Sequence, residues 1–280
     1  MILSLVIFAL SLLGCSPQKQ GEVRFDNSRI VSFAPATTET LFALGLGEKV
    51  VGVSKFCTYP PEAAALPKVG GFIDPDIEGV VRLRPTCVVL QKNGADIGQR
   101  LEALGIPVLY VEGNTLEEVL DSFVIIGDAL GRAEEGRALR RKTLEALHGI
   151  ERQASKKVLL VVWRDIGSGI QSLTVASQDG YFSRLLEALG CEVVPAKAVT
   201  AFPTVSAESV IQLNPDRIIE LRHDLDEAQV AMAMADWRRT LPELPAVRGN
   251  HITIITDQCA VVPGPRIPEF VYLLSQTLQR

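Results

Sequence analysis

Short apolar runs alternate with amphipathic or polar stretches along most of the chain. From Arg29 the runs are 29–33, 50–53, 87–90 and 107–111, and after residue 156 they are 158–162, 192–194, 217–221 and 252–255. Runs of this length, rich in Val, Ile and Leu, suit strands buried on both faces. Helix signals lie between them: one helix opens near Thr37 to Glu39, another covers about 96–104, and a third about 181–189. Strand and helix in alternation predict an α/β fold with mostly parallel strands. The series occurs twice, so two α/β lobes are expected.

Residues 132–155 separate the two series. They contain no Pro and are rich in Ala, Glu, Leu, Arg and Lys, all good helix formers. Ala138, Leu144, Leu147 and Ile150 recur at near-helical spacing. A helix over this stretch would extend roughly 35 Å and could cross from one lobe to the other. An ordinary surface helix inside one lobe fits the pattern equally well. The resulting division is 28–131 for the first lobe, 132–155 for the linking helix and 156–280 for the second lobe.

An internal repeat relates the two lobes. Asp76-Ile77-Glu78, then Val80, Val81, Leu83, Pro85 and the run from Cys87, matches Ser206-Ala207-Glu208, then Val210, Ile211, Leu213, Pro215 and the run from Arg217. Every matched pair is 130 residues apart. In each copy Asp76 or Ser206 can cap a short helix that Pro85 or Pro215 ends before a strand. Glu78 and Glu208 favour the positive start of their helices, which alone accounts for them. The repeat also places one exposed acid at an equivalent point on each lobe.

Residues 2–14 are apolar or small throughout, and Cys15-Ser16-Pro17 and a polar stretch follow. Such a run is shorter than the roughly 20 residues of a membrane span and matches the core of a signal peptide. Leu12-Leu13-Gly14-Cys15 resembles the lipobox of bacterial lipoproteins, although no Lys or Arg precedes the apolar run. The resemblance implies cleavage after Gly14, lipidation of Cys15, a tether over 15–27 and an extracytoplasmic, membrane-anchored protein. Export makes disulfides feasible among Cys57, Cys87, Cys191 and Cys259. Cys87 lies inside an apolar run and reads as a core thiol, and no CxxC spacing suggests structural zinc.

Composition narrows the function. The 280 residues carry 28 Lys and Arg against 33 Asp and Glu, a net charge of −5, with 47% hydrophobic and 22% charged residues. Mean hydropathy is +0.22, which excludes disorder for the bulk of the chain. An acidic balance leaves no electrostatic footprint for nucleic acid. There are only three His, namely His148, His223 and His251, and they are scattered. They read as surface or capping residues, and no metal site is assigned. Phosphate-loop, nucleophile-elbow and His-Glu-x-x-His motifs are all missing. Gly167-Ser168-Gly169 reads as a turn, and no catalytic residue is assigned.

The ordered segments 29–39, 51–54, 59–63, 67–71 and 76–90, continued by 202–208, 214–217 and 263–267, resemble the periplasmic substrate-binding proteins of ABC importers. The resemblance is to the group handling cobalamin, ferric siderophores and haem, and within it to the cobalamin-binding branch, through Tyr59-Pro60-Pro61 and Phe202-Pro203. It implies two lobes joined by a single long helix, with a ligand cleft between them. It also implies a non-enzymatic monomer that binds no cofactor of its own, captures a corrinoid or related metal chelate and delivers it to a permease with its ATPase. Ferric siderophore or haem is the alternative ligand. A metal-ion or oxyanion receptor, or an enzyme on the same fold, is the more distant alternative.

Carried over by position, Phe56, Tyr59, Phe72 and Phe202 line the cleft. Gln91 and Cys259 stand where that branch has aromatic residues; for a siderophore or haem cleft Arg82, Arg164, Arg222 and Arg266 are candidate anion partners, with ordinary surface Arg as the alternative for each. Glu78 and Glu208 match the acids that meet permease arginines. Cys57 and Cys259 fall on facing rims, where a disulfide across the mouth, ligand contacts or two separate thiols are all open.

Overall fold

The first series of apolar runs pairs into one parallel sheet. In the computed structural model, which describes residues 24–152, 156–178, 180–196, 198 and 200–279, its strands are β1 (Ile30–Ser32), β2 (Val50–Val53), β3 (Cys87–Gln91) and β4 (Val108–Val111). Their order is β2-β1-β3-β4. The connections carry α1 (Pro35–Ala43), α2 (Pro61–Ala64), α3 (Ile77–Arg82) and α4 (Ala95–Ala103). Residues 1–14, Cys15 and the tether up to residue 23 lie outside the described residues.

Two helices follow, α5 (Leu116–Ala129) and α6 (Ala133–His148). The helix expected over 132–155 is the shorter α6, which ends where the Gly149 N–H bonds the Glu145 carbonyl. α5 starts on a capping box in which Thr115 and Glu118 each satisfy the other's backbone N–H. The two helices pack closely because Gly136 has no side chain. A Cβ there would stand 2.5 Å from the Phe123 carbonyl.

The second series forms a six-stranded sheet. Its strands are β5 (Lys157–Trp163), β6 (Ser172–Val175), β7 (Glu192–Val193), β8 (Thr204–Ser206), β9 (Arg217–Leu221) and β10 (Ile252–Ile255). The order is β10-β9-β5-β6-β8, with β7 paired to the start of β5. β6 runs antiparallel to both β5 and β8. The expected strands are met to within a residue at either end. The pair β6 and β8 is additional: with sequences SLTV and TVS, neither presents an apolar run. Its helices are α7 (Tyr181–Ala188), α8 (Ala207–Leu213), α9 (Glu227–Thr240), α10 (Pro245–Arg248) and α11 (Ile267–Gln279).

Both sheets bury both faces, and residues alternate between two cores along each strand. In the first sheet Ile30, Cys87 and Val89 enter one core, while Val31, Val88 and Leu90 enter the other. In the second, Val158, Leu160 and Ile219 face one way and Leu159, Val161 and Ile218 the other. α5 takes part in cores of both sheets. Leu116, Val119, Leu120 and Phe123 pack with the second sheet, Ile126 and Ala129 with the first. Leu139 of α6 touches both clusters.

The internal repeat is a repeat of structure. The Asp76 carboxylate accepts the Gly79 N–H at 2.7 Å and the Ser206 hydroxyl accepts the Ser209 N–H at 3.3 Å, capping α3 and α8. Each helix ends on a left-handed residue, Arg84 at φ 46° and Asn214 at φ 45°, directly before its proline. Among the described residues no helix is long and apolar enough to cross a membrane.

Candidate functional site

In an open α/β sheet the carboxyl ends of the strands carry the loops that bind ligands. Gln91 ends β3 and Trp163 ends β5, Arg222 follows β9, and Phe56 and Tyr59 lie in the loop after β2. Phe56, Tyr59, Trp163 and Phe202 keep between 41% and 56% of their surface exposed, which is unusual for large apolar side chains. Ile73, on the loop between β2 and α3, is exposed almost completely. Phe72 and Gln91 are half-buried, Phe72 packing on the first-sheet core and lying over Gly94.

In the second half, Trp163, Phe182, Phe202, Leu221, Arg222 and Val261 are among the residues lining a cavity of about 400 Å³. Its walls are apolar and its polar groups few, the usual make-up of a small-molecule site. Phe202 meets the edge of Phe182 with ring centres 6.1 Å apart, and Phe182 in turn meets Phe270. The Arg222 guanidinium lies 4.9 Å from the centre of the Trp163 ring. Two bonds of 3.0 Å to Asp224 and one of 3.0 Å to the Arg164 carbonyl hold it there. Trp163 is the functional candidate that sequence reasoning missed, because it reads as the last residue of the buried run KVLLVVW.

Arg164, expected as an anion partner, is instead a structural ion. Its side chain is buried, bonds both carboxylate oxygens of Glu220, and reaches Asp236 at 3.0 Å and the Ala233 carbonyl at 2.9 Å. Trp237 Nε1 donates to the same Glu220 at 3.1 Å. Asp236 accepts the N–H groups of Gly167 and Gly169 at 2.7 and 3.0 Å, so Gly167-Ser168-Gly169 is a turn clipped to α9. Both glycines need positive φ, 91° and 79°.

Arg266, expected as a ligand contact, is also engaged. It makes a bidentate pair with Glu39 of α1, at 2.6 and 2.9 Å, across 227 residues of sequence. Burial pushes the Glu39 carboxyl above its ordinary value against the opposing pull of Arg266. Burial would lower the guanidinium, but pairing with Glu39 raises it further, so Arg266 stays charged. The Arg266 guanidinium lies 4.1 Å from the centre of the Tyr59 ring, and Thr58 exchanges hydrogen bonds of 2.9 and 2.7 Å with Gln258. These contacts join the loop after β2 to the segment after β10. Arg82 is exposed and pairs with Asp76 and Glu78, at 3.4 and 3.8 Å.

Of the three readings open for Cys57 and Cys259, the structure has the two separate thiols. Thr58 and Gln258 bring the neighbours of Cys57 and Cys259 together, but both thiols turn inward and are free. Cys57 shares hydrogen bonds with Thr38 and Ser54, at 3.1 and 3.2 Å, inside the first core. Cys259 is buried in the second, where burial and Asp257 push its thiol up to about 12. Neither is a rim residue, and Cys259 offers a ligand almost no surface. Denatured, unreduced protein should therefore titrate four thiols besides Cys15, while native protein stays unreactive. A count of two would restore the bridge.

Glu78 and Glu208 are both exposed on α3 and α8. A hydrogen bond from Ser206 holds Glu208 below the ordinary carboxyl range. Because helices in parallel crossovers run against the strands, both acids start their helices at the carboxyl-end side of their sheets. His148, His223 and His251 are exposed, and among the described residues no group of His, Cys, Asp and Glu is placed to hold a metal ion.

The sequence of residues 30–259 matches a family described as periplasmic binding protein. A vitamin B12-binding protein of Vibrio parahaemolyticus is 28% identical over 240 residues, 85% of this chain and 84% of the relative. An uncharacterized ABC transporter substrate-binding lipoprotein of Bacillus subtilis, YvrC, is 27% identical over 268 residues, 91% of this chain and 81% of the relative. Among solved structures, the periplasmic haem-binding protein RhuT from Roseiflexus sp. RS-1 superposes with a TM-score of 0.74 at 25% identity, covering 90% of this chain and 98% of that one.

Proposed function

Because this chain belongs to the periplasmic binding protein family, we propose that it captures cobalamin or a related corrinoid for an ABC importer. The observation that carries this reading is the set of exposed aromatic rings: Phe56 and Tyr59 in the loop after β2, Trp163 at the carboxyl end of β5, and Phe202, which lines the same cavity as Trp163. A flat or bulky macrocycle gains affinity by covering such rings, and a few polar groups such as Gln91 and Arg222 orient it. The two sheets act as lobes, α5 and α6 join them, and the ligand sits between. The B12-binding relative supports the corrinoid. Haem is the second reading, favoured by the solved haem-binding neighbour at similar identity. Lipidation at Cys15 would hold the protein at the membrane, a reading supported by the lipoprotein relative.

Native mass spectrometry of the mature protein against cobalamin, cobinamide, haem and ferric hydroxamates tests the ligand. One-to-one retention of a corrinoid is expected. Retention of haem alone would move the assignment to haem, and retention of none would remove it.

Glu78 and Glu208 dock the loaded protein on permease arginines in this reading. If they only stabilised their own helices, replacing both would lower stability slightly and leave transport alone. As charge-assisted contacts they should matter far more. Glu78→Lys with Glu208→Lys should therefore abolish uptake and permease association while ligand affinity stays at the wild-type value and the melting temperature falls only by a small amount. Normal uptake at normal expression would leave the two as helix-start carboxylates only.

A further inference from the structure

The two repeated helices share a second exposed feature beside the acid. Three residues after each glutamate, on the same helix face, stands a branched apolar residue: Val81 on α3, 45% exposed, and Ile211 on α8, 56% exposed. The copies differ in what surrounds this pair. On α3, Arg82 lies against Glu78 at 3.8 Å and already supplies it with a cation. The equivalent position on α8 is Gln212, and α8 holds no Lys or Arg. On α8, moreover, Ile211 borders a cavity of about 330 Å³ whose lining includes Asn214, Leu241, Pro242, Leu244 and Pro245. An acid without a cation on its own helix, an exposed aliphatic side chain one turn further on, and a largely apolar recess that also includes Thr240 and Glu243 thus follow one another along α8.

A surface of this kind fits a protein partner that offers a basic side chain with an apolar one beside it. The basic group satisfies the acid, and the apolar group is removed from water in the recess. We propose that the α8 face is the stronger arm of the docking surface, Glu208 taking a basic side chain of the permease while Ile211 and the adjoining recess take its apolar neighbour. The α3 face, with Glu78 already paired and Val81 beside it, makes the weaker equivalent. This rests on the docking role given to Glu78 and Glu208 above. A patch repeated in two lobes suits a partner that presents the same element twice, as a symmetric pair of membrane subunits does. The unequal surroundings then fix which arm holds most of the affinity.

The experiment measures association of ligand-loaded protein with its permease in lipid nanodiscs, for wild type and for Glu208→Lys, Ile211→Ser and Val81→Ser singly. Ile211→Ser should weaken association about tenfold and Val81→Ser less than threefold. Ligand affinity and melting temperature should be unchanged for both, since each side chain is exposed. If Glu208→Lys breaks association but Ile211→Ser docks like wild type, the apolar arm is wrong and the docking role of the acids stands. If Val81→Ser costs more than Ile211→Ser, the assignment of the stronger arm is reversed. If Glu208→Lys itself docks normally, the underlying reading falls. A concentration-dependent dimer of the wild type that Ile211→Ser dissolves would give the recess to a second copy of this chain and overturn the proposal.

Discussion

Arg164→Ala should destabilise the protein by about 3–5 kcal/mol, because removing this member of a buried ionic cluster strands Glu220 without water or a counter-charge and takes one of two cations from Asp236. Glu220 and Asp236 would both be left buried, Glu220 keeping only Trp237 Nε1 among the side-chain donors that now hold it, and Asp236 keeping Arg239 and the two glycine N–H groups. Urea unfolding followed by far-UV circular dichroism measures the loss, and a fall of roughly 10 °C in melting temperature should accompany it. Arg137→Ala is the matched control. Arg137, exposed on α6, pairs with Asp128 of α5 and Glu134, at 3.1 and 3.2 Å, and its loss should leave stability close to that of the wild type. A cost as small for Arg164 would show that the cluster contributes nothing to the fold.

The same cluster sets an acid limit. Burial tends to raise the Asp236 carboxyl, but the Gly167 N–H, the Arg164 guanidinium and the Gly169 N–H together hold it below the ordinary carboxylate value. A carboxylate depressed in the folded state contributes stability that is fully present above its unfolded pKa, near 4, and is lost as pH falls through the folded one. The wild type should therefore lose stability below about pH 4 more steeply than Asp236→Asn, which is weaker at neutral pH and flatter in acid. Parallel pH profiles of the two would show an Asp236 that titrates alike in folded and unfolded chains.

Ligand capture should collapse when the exposed rings are truncated. Trp163→Ala and Phe202→Ala should each weaken binding of the retained ligand at least tenfold, about 2 kcal/mol or more for an aromatic anchor covered by ligand. Tyr59→Ala with Phe202→Ala, one ring from each half, should bring capture below detection. Melting temperatures should move little, since these rings are about half exposed without ligand. Trp163→Phe separates two roles. It keeps an aromatic face for Arg222 to lie against while removing area, so it should fall between wild type and alanine. Quenching of intrinsic fluorescence by a coloured chelate or calorimetry gives the affinities. Unchanged affinity in a folded Tyr59→Ala, Phe202→Ala protein would take both rings out of the site.

Much of the scaffold is legible in the sequence because its signals are local. A strand buried on both faces reads as a run of mostly apolar residues, so β2, β3, β5 and β10 stand out in the chain, while β9, RIIEL with Glu220 inside it, is marked by its place in the internal repeat. The Asp76 and Ser206 caps and the Pro85 and Pro215 stops are likewise set within a few residues. Even the placement of Glu78 and Glu208 on equivalent helices follows from a spacing of 130 that the structure reproduces down to the left-handed Arg84 and Asn214. β6 and β8 escape notice because strands this short carry only two apolar residues and one, too few to form a run.

What only the tertiary structure decides is which polar side chains meet. Glu39 and Arg266 lie 227 residues apart, and nothing in either neighbourhood names the other. Arg164 and Arg222 look alike in sequence, yet one is buried under two carboxylates while the other lies on an indole beside a cavity. Cys57 and Cys259 neighbour residues that do meet, Thr58 and Gln258, yet the two thiols are buried in separate cores. Apolar burial is recorded residue by residue, because every buried position must avoid water whatever lies opposite. Pairing of charges and aiming of rings depend on distances set by the packing of remote elements, so they exist only once the chain has folded.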